Sequence, residues 1–107
     1  MQRKENMKKT PIKRKCDALW SKIIRSQGYC AKCGSTQNLN AHHIIGRINH
    51  ALRYDLKNGI CLCTSCHKFS ITSAHNDPLH FMDWYKDKYP EDYDYLLTRK
   101  KESVKTT

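Results

Sequence analysis

The sequence has no apolar run near the roughly 20 residues needed to cross a bilayer, and its opening stretch, MQRKENMKKTPIKRK, contains no apolar export segment. Without an export signal an oxidising compartment is not expected, so a cytoplasmic protein with reduced thiols is, and membrane partners are not. That sets aside a disulfide framework despite the even count of six cysteines. No internal repeat is visible. At 107 residues the chain suggests one domain, and 38% hydrophobic residues support only a thin core. Small domains commonly need a staple to offset chain entropy. With disulfides set aside, six cysteines and six histidines make a metal the leading candidate.

Acidic residues are also scarce, ten against twenty basic ones, for a net charge of +10. Their placement says more than their number. Residues 1–15 carry seven basic and one acidic side chain, and residues 98–107 carry four and one. These ends read as a basic flexible tail and a basic C-terminal tail around a domain spanning 16–97. Inside the domain, residues 16–75 sum to +5 and residues 76–97 to −4. Basic tails beside a basic segment suit a polyanion such as DNA, or they serve only to solubilise.

Local patterns give the order of elements. DALWSKIIRSQ (17–27) reads as a helix, capped by Asp17, ended by Gly28, with Leu19, Trp20, Ile23 and Ile24 as its apolar face. YCAKCG (29–34) is a tight cysteine turn. NAHHII (40–45) reads as a short strand, 46–59 as a loop, and Gly59–Leu62 as a second strand. A helix is expected to start near Thr64–Cys66 and to break early, because Ser70, Thr72, Ser73 and Asn76 are poor helix formers. PLHFMDWYKDKY and EDYDYLLTRK read as two further helices separated by Pro90.

Cys30-x2-Cys33 is followed by Cys63-x2-Cys66. Two such pairs can present four thiolates at tetrahedral corners, which suits a structural zinc ion. A redox role for a single CxxC is weaker, since two matched pairs are present and no thioredoxin-like βαβ pattern surrounds them. Cys61 lies in an apolar run and reads as core; Cys16 has no evident partner.

Between the cysteine pairs lies His42-His43; Asn58 precedes the second pair and His67 directly follows Cys66. This pattern, AHHIIGR then NGICLCTSCH, resembles the HNH endonuclease superfamily over roughly residues 29–76. The narrower likeness is to its zinc-stapled phage type, similar to the NinG/Rap-like recombination nucleases. The resemblance implies an α+β fold with a small ββα-metal (His-Me finger) core, a four-cysteine zinc site and flanking helices. It implies His42 and His67 as ligands of a catalytic divalent ion, His43 as the general base, and Asn58 as the residue bracing the hairpin. Many family members carry the next ligand four residues after the helix ligand, but here Ile71 stands there. His75 comes eight residues later, about 12 Å along an unbroken helix. It can serve only if the chain leaves the helix around Ser70–Ser73 and loops back. His75 is therefore the expected third ligand, with Asn76 and His80 in reserve. Alternation along a strand also points His42 and His43 to opposite sides unless the backbone bends.

The expected activity is metal-dependent hydrolysis of DNA phosphodiester bonds, double-stranded or branched, by a monomer or homodimer. Mg²⁺, Mn²⁺, Ni²⁺ and Zn²⁺ remain open as the catalytic ion. Arg47, Arg53, Lys57 and Lys68 are candidate DNA contacts, although Arg53 could equally pair with Asp55. Nothing resembles a module for reading base edges. The aromatics Trp84, Tyr85, Tyr89, Tyr93 and Tyr95 sit among acidic residues and read as helix packing. A non-catalytic zinc-finger binding module and an RNase with the same site are the alternatives.

Overall fold

The computed structural model describes residues 11–106. Most of the expected N-terminal tail therefore lies outside the described residues. Helix α1 runs Ile12–Arg25, starting directly after Pro11, whose extended backbone (φ −58°, ψ 140°) forms the boundary. The helix starts before Asp17, so Asp17 does not cap it. Proline sets the break and the following KRK run is helix-compatible, which places Asp17 mid-helix, bonded to Arg53. At the other end Gly28 takes φ +85°, as a helix-ending glycine should. Of the expected apolar face only Trp20 is fully buried; Leu19 and Ile23 stay exposed.

Strands β1 (Leu39–His43) and β2 (Gly59–Cys63) form an antiparallel hairpin with His42 opposite Ile60 and His43 opposite Gly59. α1 lies across this pair. A Cβ on Gly59 would sit 2.6 Å from both Trp20 Cζ2 and Ile24 Cδ1, so the missing side chain is what admits the helix. The long connection ends in a short 3₁₀ turn, Leu56–Asn58, which Asp55 caps by accepting from the Lys57 amide at 2.9 Å.

After β2 the chain makes one wide, π-type turn, Ser65–Phe69, closed by the Ser70 amide on the Ser65 carbonyl at 2.9 Å. The expected early break is there, and α2 begins only at Pro78, running to Lys88 with Asp77 as its cap. Helix α3 spans Pro90–Thr106, so the stretch expected as a basic C-terminal tail from residue 98 continues the helix. Leu52, Ile60, Leu62, Phe81, Tyr85 and Leu96 form the core between hairpin and helices. The aromatics of α2 pack on one another, Phe81 against Trp84 and Tyr85 against Tyr89. This is an α+β fold of two antiparallel strands, helices and a four-cysteine cluster. Among the described residues no helix is long and apolar enough to cross a membrane.

Candidate metal centres

The cysteine knuckle is built from backbone hydrogen bonds. The Gly34 amide donates to the Cys30 carbonyl at 2.8 Å, and the Ala31 amide ties the knuckle to β2 through the Cys61 carbonyl at 2.8 Å. In each pair a backbone amide points at the first sulfur, Cys33 N at Cys30 Sγ and Cys66 N at Cys63 Sγ. The four sulfurs lie within 4.8 Å of one another, and Cys33 and Cys63 Sγ are 3.6 Å apart. A tetrahedral zinc with bonds of about 2.3 Å separates its sulfurs by about 3.8 Å. The cluster is thus consistent with a zinc site. Burial works against the Cys30 thiolate, but its backbone amides outweigh that and bring the thiol down to about 6. Burial and the neighbouring sulfurs push Cys66 up. Four sulfurs this close cannot all ionise without a compensating cation, which a divalent ion would supply.

A second cluster gathers His42, His67 and His75, whose ligand nitrogens also lie within 4.8 Å of one another. His42 comes from the end of β1, and His67 from the π-type turn. His75 arrives because the loop folds back: the Ala74 amide reaches the Cys66 carbonyl at 2.9 Å and the His75 amide the His67 carbonyl at 3.1 Å. His75 and His67 Nε2 end 3.0 Å apart. With metal–nitrogen bonds of about 2.0–2.1 Å, that separation fits two ligands at roughly a right angle. Asn76 and His80, the reserve ligands, are elsewhere. The Asn76 amide donates to the carbonyls of Lys68 and Ser70 at 2.8 and 2.9 Å, fastening the loop, and His80 sits exposed in the first turn of α2. Ile71 is 87% exposed.

Burial, then repulsion from the neighbouring imidazoles, lowers His42 to about 3. The same two causes lower His67 to about 4. Both rings are neutral near pH 7 and offer lone pairs. His67 Nδ1 lies 3.0 Å from Asn40 Oδ1. An amide oxygen only accepts, so Nδ1 carries the proton and Nε2 keeps its lone pair free, turned toward His75. Asn40 was not singled out from the sequence; its position two residues before His42, on the same strand face, was the available signal.

His43 leaves β1 on the other side. Its ring stacks on Trp20 of α1, with centroids 3.7 Å apart and planes within 7°. Its Nε2 donates to the Arg53 carbonyl at 2.9 Å, so in the neutral ring Nδ1 is the basic nitrogen. Burial, the largest cause, holds its pKa below the usual value. The sequence gives Trp20 a packing role only; its face against His43 becomes visible only once α1 is placed over Gly59.

Asn58 is fully buried. Its Oδ1 accepts from the Ile45 amide at 2.7 Å, and its Nδ2 donates to the carbonyls of Ile45 and Leu52 at 2.9 and 3.0 Å. It fastens both ends of the loop that carries Arg47 to the hairpin. The Arg53 guanidinium makes a two-point bond to Asp17, at 2.9 and 2.5 Å, and not to Asp55. Asp55 instead receives the Tyr95 hydroxyl and the Lys57 amide. Lys57 Nζ rests 4.6 Å from the Tyr95 ring centroid, while Arg47 and Lys68 are exposed.

No protein-family model matches the chain, and comparison with curated proteins and with solved structures finds none similar to it. What the molecule presents is a small α+β fold with a two-stranded hairpin, a four-cysteine cluster and a histidine triad.

Proposed function

We propose that this chain is a metal-dependent endonuclease of the HNH type that hydrolyses DNA phosphodiester bonds. The observation that carries the reading is the pairing of a three-histidine cluster with a differently held fourth histidine at the next residue of one strand end. His42, His67 and His75 would hold a divalent ion, which supplies stabilisation of phosphate charge and of the leaving oxygen. His43 takes a proton from the attacking water at Nδ1, because Nε2 is committed to the Arg53 carbonyl. Stacking on Trp20 fixes the ring plane. Asn58 keeps the loop on the hairpin, so the Arg53 carbonyl stays where His43 needs it. The four-cysteine site, with zinc, pins the knuckle and the π-type turn that bears His67. The phage-type likeness of the motif suggests DNA recombination or processing as the setting.

The test is nicking of supercoiled plasmid by the zinc-loaded protein with Mg²⁺, Mn²⁺, Ni²⁺ or added Zn²⁺, beside a His43→Ala variant. Nicking by the parent, with a loss of about 10²–10⁴-fold in the variant at unchanged fold, supports the reading. Absence of cleavage of DNA and RNA under every ion, with DNA binding intact, replaces it by a zinc-stabilised binding module. Cleavage of RNA alone reassigns the substrate.

A further inference from the structure

A shallow, wide-open cleft lies between the N-terminal half of α1 and the loop after β1, lined by Lys13, Arg14, Asp17, Arg47 and Arg53 beside Pro11 and Ala18. Four of these five charged groups are cations. The single carboxylate is already taken, since Asp17 is bonded at two points to Arg53. Among the described residues no carboxylate lies within ion-pair distance of Lys13, Arg14 or Arg47, and all three are exposed. The first turn of α1 carries no acidic residue and no side-chain cap, so its amide groups add partial positive charge at the cleft. The cleft also touches the histidine held for proton transfer: Arg53, one of its walls, offers the carbonyl that His43 Nε2 bonds. Read as sequence, Lys13 and Arg14 belong to a flexible tail; in the fold they are one wall of a site.

We propose that this cleft is a phosphate track, holding the DNA backbone on the α1 side of His43 at phosphates flanking the one to be cleaved. The proposal rests on the nuclease reading for its substrate. Its chemistry is that of a phosphodiester chain: cations from two elements of the fold, with the one carboxylate among the lining residues already bonded to Arg53. Asp17 has a distinct part. By binding the Arg53 guanidinium it keeps that side chain against α1, leaving Lys13, Arg14 and Arg47 as the phosphate contacts.

The experiment measures binding of the zinc-loaded protein to a short duplex across a salt series, with no other divalent ion added and the duplex checked for integrity. Each phosphate contact contributes about 0.9 to the slope of log K against log salt. Lys13→Gln/Arg14→Gln should lower the slope by about 1.8 and Arg47→Gln by about 0.9. Lys86→Gln, on helix α2 within the acidic segment 76–97, removes one positive charge away from the cleft and should leave the slope unchanged. An unchanged slope in the double variant overturns the track. So does an equal loss per charge in Lys86→Gln, which would make the effect one of net charge. Plasmid nicking by the parent separates the two readings: nicking with unaltered slopes sinks the track alone, and reduced slopes without nicking keep the track and sink the nuclease.

Discussion

Asn40 Oδ1 accepts the Nδ1 proton of His67 at 3.0 Å, which leaves His67 Nε2 facing His75. A histidine ligand held this way has its ring orientation and tautomer fixed before the ion arrives. Removing such a partner typically costs 10–100-fold in metal affinity. Asn40→Leu should therefore weaken binding of a divalent ion at the triad by that factor while the zinc at the four cysteines stays. Calorimetric titration of zinc-loaded protein checks it. Equal affinity in parent and variant would show that packing alone orients His67.

Zinc removal should be more drastic. Cys30 and Cys33 sit in a short turn held to the sheet by the Ala31 amide on the Cys61 carbonyl and by the packing of Cys30 and Ala31 in the core, which is little without the sulfurs' shared ion. Structural zinc supplies about 10–16 kcal/mol in small zinc-finger domains, comparable to the whole stability of a domain. A strong chelator should abolish the cooperative thermal transition and most strand signal, restored by added zinc. Circular dichroism with metal content measured in parallel decides; an unchanged spectrum at zero zinc contradicts the assignment.

Asn58→Ala leaves the Ile45 amide and the carbonyls of Ile45 and Leu52 without the partner they have now. The Leu52 carbonyl keeps the Asp55 amide at 3.2 Å, so two groups, the Ile45 amide and carbonyl, go unpaired. At about 1–3 kcal/mol for each, the loss should be on the order of 2 kcal/mol or more. Urea denaturation of the zinc-loaded protein reads it. A loss under about 1 kcal/mol would mean that water replaces the amide and the loop is not fastened there.

The cysteine spacing and the helix-poor run after Phe69 made the two clusters legible. CxxC pairs encode their own geometry, and residues that disfavour helix told the chain to loop back, bringing His75 to His67. What stayed hidden depended on packing between distant segments. Asp17 looked like a helix cap because it directly precedes the apolar run from Ala18, yet it meets Arg53 thirty-six residues away. Trp20 looked like one of four core residues, yet its special partner is His43. Lys13 and Arg14 looked like tail because charge composition says nothing of where Pro11 starts a helix. Exposure of Leu19 and Ile23 follows likewise from which side of α1 meets the hairpin, Trp20 and Ile24 at Gly59, which periodicity does not encode.

Acid should destabilise the fold before carboxylates titrate. His42 and His67 have folded pKa values of about 3 and about 4, both below the usual histidine value of 6.5. Above pH 6.5 folded and unfolded chains are equally neutral at these rings. As pH falls below 6.5 the unfolded chain takes up protons that the folded one refuses, so stability drops until the folded values are reached. The slope is at most about 1.4 kcal/mol per pH unit for each ring, and less for half-buried His42, which water screens. The melting temperature of protein with zinc at the four cysteines only should fall steadily from pH 6.5 to 5.5, with zinc retention verified. His42→Leu should flatten that fall; an identical slope in the variant would assign the acid sensitivity elsewhere.

Gly59→Ala tests whether α1 truly rests on the hairpin beneath His43. The new methyl would stand 2.6 Å from both Ile24 Cδ1 and Trp20 Cζ2, and both side chains have to give way. Overpacking of this kind costs about 1–3 kcal/mol. The displacement of Trp20 also disturbs the ring that stacks on His43 at 3.7 Å. Ile24→Ala removes Cδ1 and the other close Ile24 atom, Cγ1, so it should relieve that side of the clash and leave only Trp20 Cζ2 to give way. In the double variant the two losses should then fall short of their sum by about 1 kcal/mol or more, the coupling expected of residues in contact. Urea denaturation of the four proteins measures it. Strict additivity would mean that the methyl and Ile24 never meet, and α1 would then have to sit elsewhere on the sheet.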